Sequence, residues 1–111
     1  MTKFAATFSN GQTITRNSDH AYTFAWAIVR IADGKIEKSG FSADRANAAK
    51  AARGQMWSGV STRERKHPAL RGHWVRLAKE RGFATSAELF ADIDAQAVAH
   101  NAARRIEIVA I

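Results

Sequence analysis

The residues best suited to chemistry lie in one basic segment in the middle of the chain, from Ser61 to Gly82. Nine of its residues are Arg, Lys or His, and two are Glu. Guanidinium and ammonium groups at this density bind phosphates or carboxylates, because each cation pairs with anionic oxygens. The segment therefore predicts either a surface that binds an acidic partner or a helix face that is merely solvated.

The net charge of the chain is concentrated in the same region. The 111 residues carry a formal charge of +7. Residues 45–81 hold ten bases and two acids, whereas the part before them holds five bases and four acids, and the part after them two bases and four acids. This distribution predicts one localised positive patch. Its candidate partner-binding residues are Arg53, Trp57, Arg63, Arg65, Lys66, Arg71, Arg76 and Lys79.

Catalytic and metal-binding patterns are missing from the sequence. His67 and His73 are six residues apart, so they fall on different faces of a helix. Ser18, Asp19 and His20 are contiguous, which is poor geometry for a nucleophilic triad because neighbouring side chains diverge. The sequence contains no zinc-protease motif, nucleophile elbow, phosphate-binding loop or dinucleotide fingerprint. We therefore predict a non-enzymatic protein with no metal and no cofactor.

Composition points to one cytoplasmic domain. A length of 111 residues suits a single domain with a modest core, residues 1–111. There is no cysteine for a disulfide or a thiolate zinc site. No apolar run approaches the roughly 18 residues that span a membrane, and the first residues turn polar before a signal-peptide core could form. We expect no contact with a membrane.

Local patterns predict five strands. Asn10-Gly11 and Asp33-Gly34 are typical of hairpin turns, and a type I′ turn is expected at the first of them. The segment 21–31 is apolar on both faces, which favours a central strand with Trp26 in the core. The predicted strands cover residues 3–9, 12–16, 21–31, 35–41 and 105–111.

Three helices are predicted between the fourth and fifth strands. Ser42 is expected to cap the first, and Gly54 to weaken or end it. Gly82 is expected to end the second. Thr85 and Glu88 have the spacing of a capping box, which marks the start of the third. The helices are expected over residues 43–53, 68–81 and about 86–103.

The second helix is predicted to be amphipathic. Leu70, Trp74 and Leu77 form one stripe, which we expect to hold the helix to the sheet. The polar residues 58–66 before it predict a mobile loop. We expect charge reversal in that loop to spare folding and abolish binding, at the three positions Arg63, Arg65 and Lys66.

The order of elements predicts the fold class. Four strands, three helices and a final strand indicate an α+β fold. We expect a mainly antiparallel sheet of four to five strands with about three helices packed on one side.

One pattern in the first half of the chain resembles a known group of proteins. It consists of Ala6–Gly11, Thr15-Arg16, Ser18-Asp19, Tyr22–Trp26 and Gly40-Phe41 followed by an alanine-rich helix. This pattern is similar to that of small, mostly uncharacterised proteins encoded by phages and prophages. The same residues also have purely structural roles open to them, in a hairpin, a turn and a core.

The resemblance implies an origin in a mobile element and a place in the host cytoplasm. Small phage proteins often take over or inhibit nucleic-acid machinery, and anti-CRISPR proteins are one such class. The leading expectation is a non-enzymatic inhibitor that binds an acidic host protein or nucleoprotein complex through the basic patch. The alternative is a protein that binds DNA or RNA directly, through phosphate contacts and with little sequence specificity.

Overall fold

A computed structural model describes all residues, 1–111, and has the predicted α+β architecture. The strands are β1 (Thr2–Thr7), β2 (Thr13–Ser18), β3 (Phe24–Arg30), β4 (Ile36–Ser42) and β5 (Arg104–Ala110). The helices are α1 (Arg45–Gly54), α2 (Thr62–Lys66), α3 (Arg71–Glu80) and α4 (Ser86–Ala102), and a 3-10 turn, Pro68–Leu70, precedes α3.

The chain divides into two compact units. Unit 1 consists of Met1–Met56 and Ala102–Ile111 and holds all five strands and α1. Unit 2 consists of Trp57–Asn101 and holds α2, α3 and nearly all of α4. Each unit has buried apolar residues of its own. The expectation of a single domain stays a prediction.

The strands of unit 1 form two antiparallel sheets, where the sequence predicted one. β1 pairs with β2, and the three-stranded sheet has the order β4-β3-β5. The central place predicted for the third strand is confirmed, because β3 pairs with a neighbour on both edges. Its apolar character on both faces follows from that position.

The turn of the first hairpin is not type I′. Asn10 lacks the positive φ that this turn requires, since every residue with positive φ in the chain is a glycine. Gly11 has the predicted positive φ, 85°. The Gly11 N–H donates to the Phe8 carbonyl at 2.9 Å, and the Phe8 N–H to the Gln12 carbonyl at 3.0 Å. Residues 8–12 therefore join β1 to β2, with the three residues 9–11 enclosed by the hydrogen-bonded Phe8 and Gln12.

β3 separates two parts of the hydrophobic core. On one face Ala25, Ala27 and Val29 pack with Ala6 and Phe8. On the opposite face lie Trp26 and Ile28, which pack with the alanines of α1, Ala48 and Ala52. The core position predicted for Trp26 is confirmed, with 8% of the residue exposed.

The start of α1 differs from the prediction by two residues. Asp44 is the cap, and its carboxylate accepts a hydrogen bond from the Asn47 N–H at 2.7 Å. Ser42 instead ends β4, where it is buried and pairs with Phe24. Ser and Asp both suit an N-cap position. Because Ser42 pairs within the sheet, Asp44 caps the helix. Gly54 is the last residue of α1, as predicted.

Unit 2 is built on the packing of α3 against α4. The predicted stripe is present, with Trp74 and Ala78 buried against Leu89 and Ile93. Its partner is therefore α4, where the sequence predicted the sheet. One half of the predicted capping box forms, since the Thr85 hydroxyl accepts from the Glu88 N–H at 3.2 Å. The Glu88 carboxylate accepts from the Ala84 N–H at 3.1 Å and not from the Thr85 N–H that a full capping box uses.

The segment predicted as a mobile loop contains a helix. Ser61 caps α2, and its hydroxyl accepts from the Glu64 N–H at 3.2 Å. α2 has only five residues, so it is too short to show an apolar periodicity. The helix predicted from Pro68 begins as the 3-10 turn and becomes α-helical at Arg71.

Candidate anion-binding surface

The basic face of unit 2 is defined as the set of exposed cations of α2, α3 and the residue after α3, which are spread around α3 rather than confined to one side of it. None of them forms an ion pair. They are Arg63, Lys66, Arg71, Arg76, Lys79 and Arg81. The basic face includes every Arg and Lys of unit 2 except Arg65. Because none of these six side chains is ion-paired, their charges are available to a partner.

Positive and negative charge are separated along the chain in unit 2. Residues 61–82 hold seven Arg or Lys and two acids, whereas α4 holds three acids and no Arg or Lys. The acids of α4 also have partners: Glu88 accepts from Ala84, Asp92 from Gln96 and Asp94 from Arg65. The acids of α4 therefore neutralise little of the charge on the basic face.

The apolar stripe of α3 determines where its cations point. Successive helix residues turn by about 100°, so Arg76 and Lys79 lie on the side opposite the buried Trp74 and Ala78. Val75 lies beside them and is 57% exposed. The outward side of α3 is thus basic with one apolar residue.

Arg65 is a structural residue rather than part of the free surface. Its Nε donates to the Val60 carbonyl at 2.9 Å, and its two terminal nitrogens donate to the Asp94 carboxylate. Its guanidinium also lies over the Phe90 ring at 4.9 Å. Hydrogen bonding between Arg65 and Asp94 raises the pKa of Arg65 and lowers the pKa of Asp94.

This arrangement corrects the prediction of a free basic loop. Reversing the charge of Arg65 would place two carboxylates together and remove a bond that ties α2 to α4. The proposed charge reversal of the loop would therefore disturb folding as well as binding. The sequence carried no local signal for the pair, because Asp94 is 29 residues from Arg65.

A groove opens where α2 meets the 3-10 turn and α3. Its volume is about 420 Å³, and its lining consists of Arg65, Lys66, His67, Pro68 and Arg71. The Nδ1 atom of His67 accepts from the Ala69 N–H at 3.1 Å, so a neutral ring carries its proton on Nε2. The groove therefore offers N–H donors from several different side chains.

The structure assigns the predicted patch residues to both units. Arg53 lies on α1 in unit 1, and the other seven belong to unit 2. Trp57 is 38% exposed, and its ring meets His100 edge-on at a centroid distance of 5.6 Å. The Asn101 side chain accepts from the Trp57 N–H at 3.1 Å and donates to its carbonyl at 2.7 Å. Trp57 is thus held through its backbone while part of its ring remains accessible.

Catalytic geometry is not apparent around the other candidate residues. The Ser18 hydroxyl accepts from the His20 N–H at 3.0 Å, which is the turn contact expected for it. No group of three or more His, Cys, Asp or Glu could hold a metal ion. None of the helices has the length and apolar character needed to cross a membrane.

Comparison with known proteins adds no relative of this chain. No protein-family model matches it, and neither a curated protein nor a solved structure matches it.

Proposed function

We propose that this protein is a non-enzymatic inhibitor of mobile-element origin, which binds an acidic or nucleic-acid-loaded complex of the host cytoplasm. The basic face of unit 2 makes the contact and occludes the surface it covers. An anti-CRISPR-like role, directed against a defence complex, is one form of this activity. The phage-like pattern in the first half of the sequence supports the proposed origin.

One observation carries the proposal: the six exposed cations of the basic face have no acidic partner within the protein. Elsewhere four arginines are ion-paired, namely Arg30, Arg65, Arg104 and Arg105. Exposed, unpaired cations attract an acidic surface over about one Debye length, roughly 8 Å at physiological ionic strength. The exposed Val75 and Trp57 add the apolar contacts found in many protein interfaces.

Direct binding of nucleic acid is the second candidate, and the groove favours it. Lys66 and Arg71 line the groove without an ion pair. Phosphate contacts by such residues release counterions and give salt-dependent affinity without sequence specificity.

Capture from a bacterial lysate distinguishes the two candidates. The tagged protein is incubated with lysate, with and without nuclease, and the retained partners are compared. Retention of a host complex after nuclease treatment supports the inhibitor, provided that added protein also lowers the nucleic-acid binding of that purified complex. Loss of every partner on nuclease treatment supports direct nucleic-acid binding.

A charge-reversal variant tests whether the basic face makes the contact. Arg63→Glu, Arg76→Glu and Lys79→Glu change exposed residues and leave Arg65 intact. The matched control carries Lys3→Glu, Lys38→Glu and Lys50→Glu, which are exposed residues of unit 1. We expect the first variant to lose the partner and the control to keep it. Equal retention by both folded variants would exclude the basic face as the contact surface.

A further inference from the structure

The groove of unit 2 has the chemistry of a site for a tetrahedral anion. Lys66 and Arg71 contribute charges that no acid of the protein neutralises. Arg65 also lines the groove, and its positively charged guanidinium is held there by hydrogen bonds to Val60 and Asp94. His67 adds an Nε2–H donor in its neutral form.

We propose that this groove is a phosphate-binding site that holds one phosphate group of a nucleic-acid strand. The inference rests on the proposed function, because it names the chemical group that the basic face recognises. The same phosphate chemistry is present in free nucleic acid and in nucleic acid carried by a host complex.

The arrangement of donors favours phosphate over carboxylate. One arginine fork is enough to satisfy a planar carboxylate. Here the donors come from separate side chains around an open volume of about 420 Å³, which suits oxygens that point in several directions. That volume lies within the range of small-ligand sites, so there is room for the sugar and base attached to the phosphate.

The groove is also preorganised by contacts that do not involve a ligand. Arg65 is held by hydrogen bonds on one side and by the Phe90 ring. The Trp74 Nε1–H donates to the Glu64 carbonyl at 3.0 Å, which fixes α2 against α3. Arg65 is therefore positioned before binding, and Lys66 and Arg71 are the side chains that a phosphate would immobilise.

Two matched variants test the site. The groove variant carries Lys66→Gln and Arg71→Gln, and the control carries Arg76→Gln and Lys79→Gln from the outward side of α3. Both lose two positive charges from the basic face, so the general electrostatic attraction falls equally. Melting temperatures confirm that both variants fold.

Two probes are used. Inorganic phosphate is titrated while the backbone amide signals of Ala69 and Gly72, which are unchanged in every variant, are followed by NMR. A labelled single-stranded oligonucleotide is titrated at several salt concentrations. We expect phosphate to shift these signals in the parent and control proteins and not in the groove variant. We expect the groove variant to bind the oligonucleotide about tenfold more weakly than the control.

The source of the phosphate is resolved by repeating capture from lysate with the groove variant. Loss of a nuclease-sensitive partner identifies free nucleic acid, and loss of a nuclease-resistant complex identifies nucleic acid sheltered within that complex. If phosphate shifts no groove signal, or if both variants weaken oligonucleotide binding equally, the phosphate site is wrong even if a partner is captured. If the groove binds phosphate but the parent protein captures nothing, the proposed function fails while the site stands.

Discussion

Arg65 stabilises unit 2 although its sequence context is that of a surface cation. Its guanidinium joins three parts of the unit: the Val60 carbonyl before α2, the Asp94 carboxylate and the Phe90 ring on α4. Removing this side chain should lower the stability of unit 2, because the Val60 carbonyl and the Asp94 carboxylate would both lose a hydrogen-bond donor. At the scale of single residues, the basic segment therefore consists of one structural arginine and a set of cations without an ion pair.

Removing the Arg65 guanidinium should destabilise unit 2. We expect Arg65→Gln to lower the melting temperature, because glutamine cannot reach all three partners. Arg63→Gln serves as the control, since Arg63 is exposed and has no ion pair. Thermal unfolding followed by circular dichroism checks the difference. Identical midpoints for the two variants would mean that the Arg65 contacts contribute nothing measurable.

Acid should weaken the fold through carboxylates that accept hydrogen bonds from arginine. Hydrogen bonding from Arg30, helped by the Lys35 N–H, lowers the pKa of Asp33 from 3.8 to about 2. Since the folded-state pKa is the lower one, this stabilisation is complete above about pH 4 and is lost as the pH falls toward 2. We expect Asp33→Asn to show a smaller loss of stability than the parent over that range, measured by urea unfolding at each pH.

At the scale of elements, β4 lies directly against the Trp26 ring at Gly40. A Cβ atom added at Gly40 would lie 2.8 Å from the indole of Trp26 on the neighbouring strand. Such a distance forces the ring or the strand to move, and Trp26 is packed against α1 on the same side. The absence of a side chain at Gly40 therefore leaves room for the Trp26 indole against β4.

Gly40→Ala should accordingly destabilise unit 1 by about 1 to 3 kcal/mol, the usual range for overpacking a core. The change is measured as the free energy of unfolding in urea, followed by circular dichroism. A variant as stable as the parent would show that the sheet yields at this position without cost.

Gly72→Ala is the complementary case in α3. A Cβ there meets nothing within 4 Å, and Gly72 does not have positive φ. Alanine favours the helix by restricting the unfolded chain, so we expect a gain of about 0.5 to 1 kcal/mol. Urea unfolding monitored by helical circular dichroism measures it, and a loss of stability would argue against a regular helix at this residue.

The sequence predicted those structural features that depend on residues close together in the chain. The positive φ of Gly11, the Thr85 cap and the stripe on α3 each depend on residues close in sequence, and each is present, although the first turn is not the predicted type I′. α2 was missed because five residues cannot show a helical period. The division of the strands into two sheets and the pairing of Arg65 with Asp94 depend on distant parts of the chain, which periodicity and capping do not report.

At the scale of the whole molecule, the chain builds unit 1 from two separate segments. β5, which completes the three-stranded sheet, follows the residues of unit 2 in the sequence. Unit 2 carries most of the predicted binding residues, whereas unit 1 carries all the strands. The basic face and the sheet thus occupy different stretches of sequence.

The Asn101 side chain has a consequence for protein engineering, because it bonds both backbone groups of Trp57 and so brings together the two ends of unit 2. A linker of about four residues, with a reach of about 13 Å, should then replace residues 57–101 between Met56 and Ala102. Trp26 would be the sole remaining tryptophan, so blue-shifted emission and cooperative melting would report a folded sheet, and red-shifted emission an unfolded one. If the shortened protein folds, unit 1 does not need unit 2 for folding, and other helical segments can be inserted at the same junction.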